Sequence, residues 1–260
     1  MAAREARRRL EVTPRVLRRL IGARPDYFPV LLDSAAQDAK GSHGARTLLA
    51  AAPSAFLALD RDNRLVARGD VPPGIAVRQG RTGGFLAALD SWWRGIQASE
   101  ANSNGLAGGW VVYLGYEMAQ EIEPGLHLPA GRLPWRAVAM RVRGMIVHDA
   151  QSEAVEIVVR AQESALLDEI EGHVMAVQAA PASPEEPGAV GTRLEEEPAE
   201  RFLARVLSAQ EHIRAGNIYQ ANLSRWWRTG WQHASESLYE RLRAANPAPF
   251  AAYARFPDMD

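Results

Sequence analysis

The chain has 260 residues, 47% apolar and 23% charged, which is enough for one large or two modest hydrophobic cores and typical of a globular protein. A formal net charge of -1 supplies no global field to recruit a nucleic acid or an anionic membrane, and no run of about 18 apolar residues is available to span a bilayer. The absence of cysteine excludes disulfides, thiolate metal sites and a cysteine nucleophile, and a reducing cytoplasm is the expected location. No two of the six histidines sit at zinc-ligand spacing, and no EF-hand or phosphate-loop pattern occurs, so no metal site is expected from this chain's own residues.

In chain order, the first twenty residues are Arg-rich, but Glu5 and Glu11 break the acid-poor pattern of a transit peptide. They read as a solvated extension or a leading helix. Apolar runs at 28–32, 47–51, 55–59 and 65–67 predict strands, the last two joined as a hairpin through 60–63. Residues 83–96 carry Phe85, Leu86, Leu89, Trp92, Trp93 and Ile96 at helical spacing, which predicts an amphipathic helix with both tryptophans against a sheet. In GGWVVYLGYEMAQEIE, Gly109 and Gly115 bracket an apolar strand at 110–114, where glycine signals a bulge or a close backbone approach. Strands follow at 137–142, 145–148 and 154–159, then a helix over 164–177 with Ser164 as N-cap.

Residues 178–198 are rich in Pro, Ala, Gly and Glu without an apolar period and read as an exposed connection. Beyond it, 199–215 predicts a helix with Phe202, Leu203, Val206, Leu207 and Ile213 on one stripe, closed by Gly216. A strand at 218–227, a short helix at 238–245 stopped by Asn246 and Pro247, and a strand at 249–256 complete the order. The last residues, 258–260, read as a hairpin turn lacking its return strand. Strands and helices without strict alternation predict an α+β fold, with antiparallel sheets and packed helices. The expected organisation is an extension at 1–20, an amino-terminal domain at 21–180, a linker at 181–198 and the start of a second, truncated domain at 199–260.

Four segments occur in an informative order: PVLLDSA at 29–35, GGWVVYLGYEMA at 108–119, AGNIYQANLSRWW at 215–227 and NPAPFAAYARFP at 246–257. Together they resemble the chorismate-binding family that includes anthranilate synthase component I and aminodeoxychorismate synthase component I. Asn222, Ala248 and Phe250 make the third and fourth segments more similar to the aminodeoxychorismate branch. The resemblance implies an incomplete version of the two-subdomain anthranilate synthase component I fold, in which 199–260 begins the chorismate-binding domain. It also implies a tryptophan pocket, with Ser34, the loop His43, Gly44, Ala45 and Arg46, and Pro249, Phe250 and Ala251 at the contacting positions. An indole needs apolar walls and a polar partner for its N–H, and Ser34 with free backbone groups can hold the zwitterion. Asp33 and Thr47 depart from the family's pattern there, the first adding a carboxylate beside the site and the second replacing a larger residue. Read alone, Ser34 is a turn or cap residue, Asn246-Pro247 a helix stop, and Tyr219, Gln220 and Asn222 the second face of a strand.

The activity implied by the resemblance is addition of ammonia to chorismate at C4, giving 4-amino-4-deoxychorismate for 4-aminobenzoate and folate synthesis. A glutamine amidotransferase subunit is the implied partner and source of ammonia, with chorismate as substrate. Mg2+ held by glutamates, and a lysine that adds to C2, do the chemistry in the resembled enzymes. Those groups lie in segments resembling SPERF, PIKGT and GAPK, none of which this chain contains. Lys40, the single lysine, sits in an unmatched loop. No catalytic residue and no Mg2+ ligand is therefore expected here, and the chain alone is expected to be inactive. Two alternatives stand beside this: anthranilate synthase component I of tryptophan synthesis, and a non-catalytic module that binds tryptophan or docks a glutaminase.

Overall fold

A computed structural model describes residues 5–34, 46–75, 84–99, 106–129, 131–181 and 194–259. The chain divides into two compact units, the first formed by Met1–Pro181 with Ser235–Asp260 and the second by Ala182–Ala234.

The first unit is organised by two 15-residue strands, β3 (Arg46–Asp60) and β6 (Trp135–Asp149), antiparallel along their whole length from Arg46↔Asp149 to Asp60↔Trp135. A flat strand of that length would run about 50 Å, far beyond the usual five or six residues. The pair is broken midway by a register shift between Pro53 and Ala55. Pro53 has no N–H for the ladder, and Ala52 beside it adopts φ 54°, so the strand kinks where pairing is weakest. On one side of the kink the order is β1 (Glu5–Leu10), β7 (Ala154–Arg160), β6, β3, β2 (Val30–Asp33) and β10 (Ala251–Ala254). On the other, β5 (Gly109–Leu114) pairs β6 and β4 (Leu65–Gly69) pairs β3, and every pairing is antiparallel.

Helices cover these halves because their apolar faces have nowhere else to go. Leu17, Leu20 and Ile21 of α1 (Arg15–Ala23) and Ile170 and Val174 of α4 (Leu166–Ala179) join Leu31, Leu49, Ile146 and Ile157 in one fully buried cluster. Phe85 and Trp92 of α2 (Phe85–Ser99) close over Leu57, Leu59, Ala137 and Ala139, with Trp92 edge-on to Trp110 at 4.3 Å. A short helix, α3 (Ala119–Ile122), places Glu121 at the start of α2, where its Oε2 accepts the Leu86 N–H at 2.9 Å. A carboxylate there satisfies a helix end that has no N-cap side chain of its own.

The α+β architecture with antiparallel sheet follows the sequence reading, with corrections in detail. Ser164 does not cap α4, whose N-cap is Ala165 without a side-chain bond, and Trp93, expected against a sheet, is 45% exposed. Residues 5–10, expected in an extension or helix, form β1, and Arg8 reaches Asp168 and Glu171 of α4 at 2.6 Å each. The strands expected at 47–51 and 55–59 are one strand, and so are those at 137–142 and 145–148. Gly144 between the latter is needed for packing, since a Cβ there would meet Ile170 Cδ1 at 2.9 Å. Of the strand expected at 218–227, only Trp227 remains paired, in the two-residue strand β9 (Trp227–Arg228) against β8 (Glu195–Glu196). Residues 218–226 find no strand to bond among the described residues, and strand propensity without a partner leaves backbone groups to water.

The second unit, taken by itself, holds α5 (Ala199–Arg214), β8 and β9. None of the helix's residues is buried, and Leu203 and Leu207 are 57% and 60% exposed. Its order rests on Glu197, buried and paired with Arg205, and on Arg225 lying over Phe202 and Trp227. No helix among the described residues is long and apolar enough to cross a membrane.

Candidate functional site

The edge of the first unit where β3, β2 and β10 run side by side gathers most of the residues expected to contact a ligand. Strand β2 ends at Asp33, with Ser34 next in the chain; β3 begins with Arg46 and Thr47; β10 starts at Ala251, which the ladder sets opposite Asp33. Ser34 Oγ donates to the Pro249 carbonyl at 3.1 Å, so a side chain from one strand end holds the loop leading into the other. Phe250 beside it is 81% exposed. Arg46 turns away to β6, its Nε 3.4 Å from Asp149 Oδ2. His43, Gly44 and Ala45 lie outside the described residues.

Asp33 lies behind this edge and is 2% exposed. A carboxylate removed from water needs donors for its lone pairs, and three side chains supply them. Thr47 Oγ1 donates at 3.0 Å to one oxygen; Tyr239 OH at 2.9 Å and Arg243 Nε at 2.6 Å donate to the other. Burial by itself pushes the Asp33 carboxyl up, but the Arg243 and Tyr239 hydrogen bonds, the Arg243 charge and the Thr47 hydroxyl outweigh it, and the group sits below its ordinary value. Tyr239 is pushed the other way, by its own burial and by the neighbouring carboxylate.

Tyr239 and Arg243 belong to α6 (Ser235–Ala245), four residues apart and hence on one helix face. The same helix is fixed by Glu240 to Arg18 of α1 at 2.5 Å and by Tyr239 stacked on Tyr253 of β10 at 5.1 Å. Ser235 and Tyr253 hydroxyls add a bond of 2.8 Å. Thr47 also faces His148 across the β3–β6 ladder. That imidazole is buried, and among the described residues its Nε2 has no hydrogen-bond partner, Glu153 Oε2 lying 3.7 Å away.

Asp33 and Thr47, which the sequence presents as two separate departures from a family pattern, are thus two ends of one hydrogen bond. Tyr239 and Arg243 carried no signal as site residues. Their spacing on one helix face, and a carboxylate inside an apolar strand that required partners, were the clues available.

Among the described residues, no three carboxylate or imidazole groups converge to hold a metal.

The pattern of the chorismate binding enzyme family matches residues 50–260, well over half of the chain. The chain belongs to that family. Among its relatives, anthranilate synthase component 1 of Cereibacter sphaeroides is 31% identical over 166 residues, covering 58% of this chain and 33% of the relative. An anthranilate synthase component I-like protein of Synechocystis sp. is 29% identical over 159 residues, covering 58% and 31%. Aminodeoxychorismate synthase component 1 of Bacillus subtilis is 27% identical over 192 residues, covering 69% and 40%. The solved structure of anthranilate synthase component I from Streptococcus pneumoniae superposes with a TM-score of 0.56 at 20% identity, over 82% of this chain and 47% of that one, and so shares the fold. The chain spans less than half the length of each of these proteins.

Proposed function

We propose that this chain is the amino-terminal portion of component I of an aminodeoxychorismate synthase, the enzyme that aminates chorismate at C4 to 4-amino-4-deoxychorismate. Membership of the chorismate binding enzyme family over residues 50–260 is the observation that carries the reading. Asn222, Ala248 and Phe250 in the third and fourth segments favour the aminodeoxychorismate branch. A glutamine amidotransferase subunit supplies the ammonia, and Mg2+ is the cofactor of the intact enzyme, its ligands lying outside this chain.

The edge at Ser34, Arg46 and Pro249–Ala251 is the proposed tryptophan site. Support for it comes from Ser34 Oγ bound to the Pro249 carbonyl and from the exposed ring of Phe250. Asp33 stands behind it as a framework group, since its oxygens are already engaged by Thr47, Tyr239 and Arg243.

A second reading, anthranilate synthase component I, is favoured by the 31% and 29% identities to an anthranilate synthase and an anthranilate synthase-like protein. Growth complementation separates the two. A reading frame containing this chain and its downstream coding sequence is expected to rescue a 4-aminobenzoate auxotroph and to leave a tryptophan auxotroph unrescued; the reverse would establish the second reading. The 260-residue chain by itself is expected to leave chorismate unconsumed in the presence of ammonia and Mg2+. Turnover by that chain would sink the assignment of catalysis to other segments.

A further inference from the structure

The strand order of the large sheet ends at β1 on one side and at β10 on the other, and the two edges differ in chemistry. Strand β1 carries Arg7, Arg8 and Arg9, charged side chains of the kind that keep an open edge from pairing with another strand. Strand β10, AAYA, has neither a charge nor a proline. One edge of β10 is taken by β2: Ala251 and Tyr253 stand opposite Asp33 and Leu31, and the Arg255 N–H donates to the Pro29 carbonyl at 2.8 Å. Backbone groups alternate in direction along an extended antiparallel strand. Ala252 and Ala254 therefore turn theirs to the outer edge, where no strand is paired among the described residues, and Phe256 is next in the alternation.

The chain after β10 turns back along that same edge. Phe256 and Met259 form an antiparallel bridge, in which the Met259 N–H donates to the Phe256 carbonyl at 2.9 Å. Pro257 and Asp258, the latter at φ 62°, fill the two turn positions that suit a proline and a left-handed residue. The turn is anchored by Trp135, whose Nε1 donates to the Pro257 carbonyl. Phe256 and Met259 pack in one apolar cluster with Val30 and Ala254. Continuing the Phe256–Met259 register sets the first residue after Asp260 opposite Ala254 and the third opposite Ala252, both on the face of that cluster. Direction, register and side-chain face point to one occupant. Resting on the proposal that this chain is the amino-terminal portion of a longer polypeptide, we infer that the outer edge of β10 receives the segment directly downstream of Asp260 as an antiparallel strand, apolar at its first and third residues.

Site-resolved hydrogen exchange, measured on the 260-residue chain and on the protein from the longer reading frame, tests this. In the 260-residue chain the Tyr253 amide, turned to β2, is expected to exchange at least about 100-fold more slowly than those of Ala252 and Ala254. In the longer protein the Ala252 and Ala254 amides should slow by at least about 100-fold, into the range of Tyr253. Continued fast exchange at both, with Tyr253 still protected, overturns the inference, because the sheet is then folded and its edge unpaired. So does slow exchange at both in the 260-residue chain, which would assign the edge to another segment or to a second copy. Charged residues at the first and third positions of the downstream segment would overturn it as well. The readout does not depend on the reaction catalysed: slowed Ala252 and Ala254 amides in a protein that makes anthranilate would correct the functional reading and support the strand.

Discussion

The two units use similar raw material to opposite effect. Helix α2 in the first unit and α5 in the second are both amphipathic and nearly equal in length, 15 and 16 residues. Phe85 and Trp92 of α2 are at most 1% exposed, whereas Leu203 and Leu207 of α5 remain more than half in water. Sequence period alone makes a helix amphipathic; only a facing surface converts that pattern into stability. The first unit supplies such surfaces on its long kinked sheet, and what stabilises it should be concentrated there.

Substitutions that should do most to break this contrast lie under α2. Trp92→Ala is expected to cost on the order of 3–5 kcal/mol, the range for removing a large buried aromatic, measured by denaturant unfolding of the chain. A loss below about 1 kcal/mol would mean that α2 does not close this core.

The next effect belongs to Asp33. Asp33→Asn should cost about 2–3 kcal/mol, less than the ~3–5 of breaking a fully buried pair because Arg243 stays partly solvated. The pH dependence has a definite sign. The folded carboxyl sits below its unfolded value, so its contribution is complete above the ordinary aspartate range near pH ~4 and is lost as pH falls through the folded value. Acid unfolding should therefore be shallower in the Asp33→Asn chain than in the parent. Equal acid profiles would show that the network contributes nothing through charge.

The smallest effect is expected on α5. Leu207→Ala should change stability by less than about 0.5 kcal/mol, as exposed positions do. A cost near that of Trp92→Ala would erase the distinction between the units.

What could be read from the sequence divides along the same line. Elements with strong local signals were legible: α2 from its apolar period, α4 and α5 from theirs, and β7 from its β-branched run. The joining of 47–51 with 55–59 was not, because Ala52 and Pro53 look like a break until the partner strand β6 is seen to continue past them. Strand β1 was hidden for the opposite reason, since EARRRL has the charge of a solvated tail and becomes a strand only through its pairing with β7. At the candidate site, Ser34, Pro249 and Ala251 came from motif resemblance, and the structure brings them to one edge. The Asp33 network spans 14 residues to Thr47 and 210 to Arg243, and no local pattern encodes contacts at such separations.

Product identification offers the most direct test of the functional assignment. Protein from the reading frame that contains this chain would be incubated with chorismate, ammonia and Mg2+, and the products separated and identified. The expected product is 4-amino-4-deoxychorismate. Anthranilate as the main product would contradict the aminodeoxychorismate assignment, and unconsumed chorismate would contradict chorismate amination altogether.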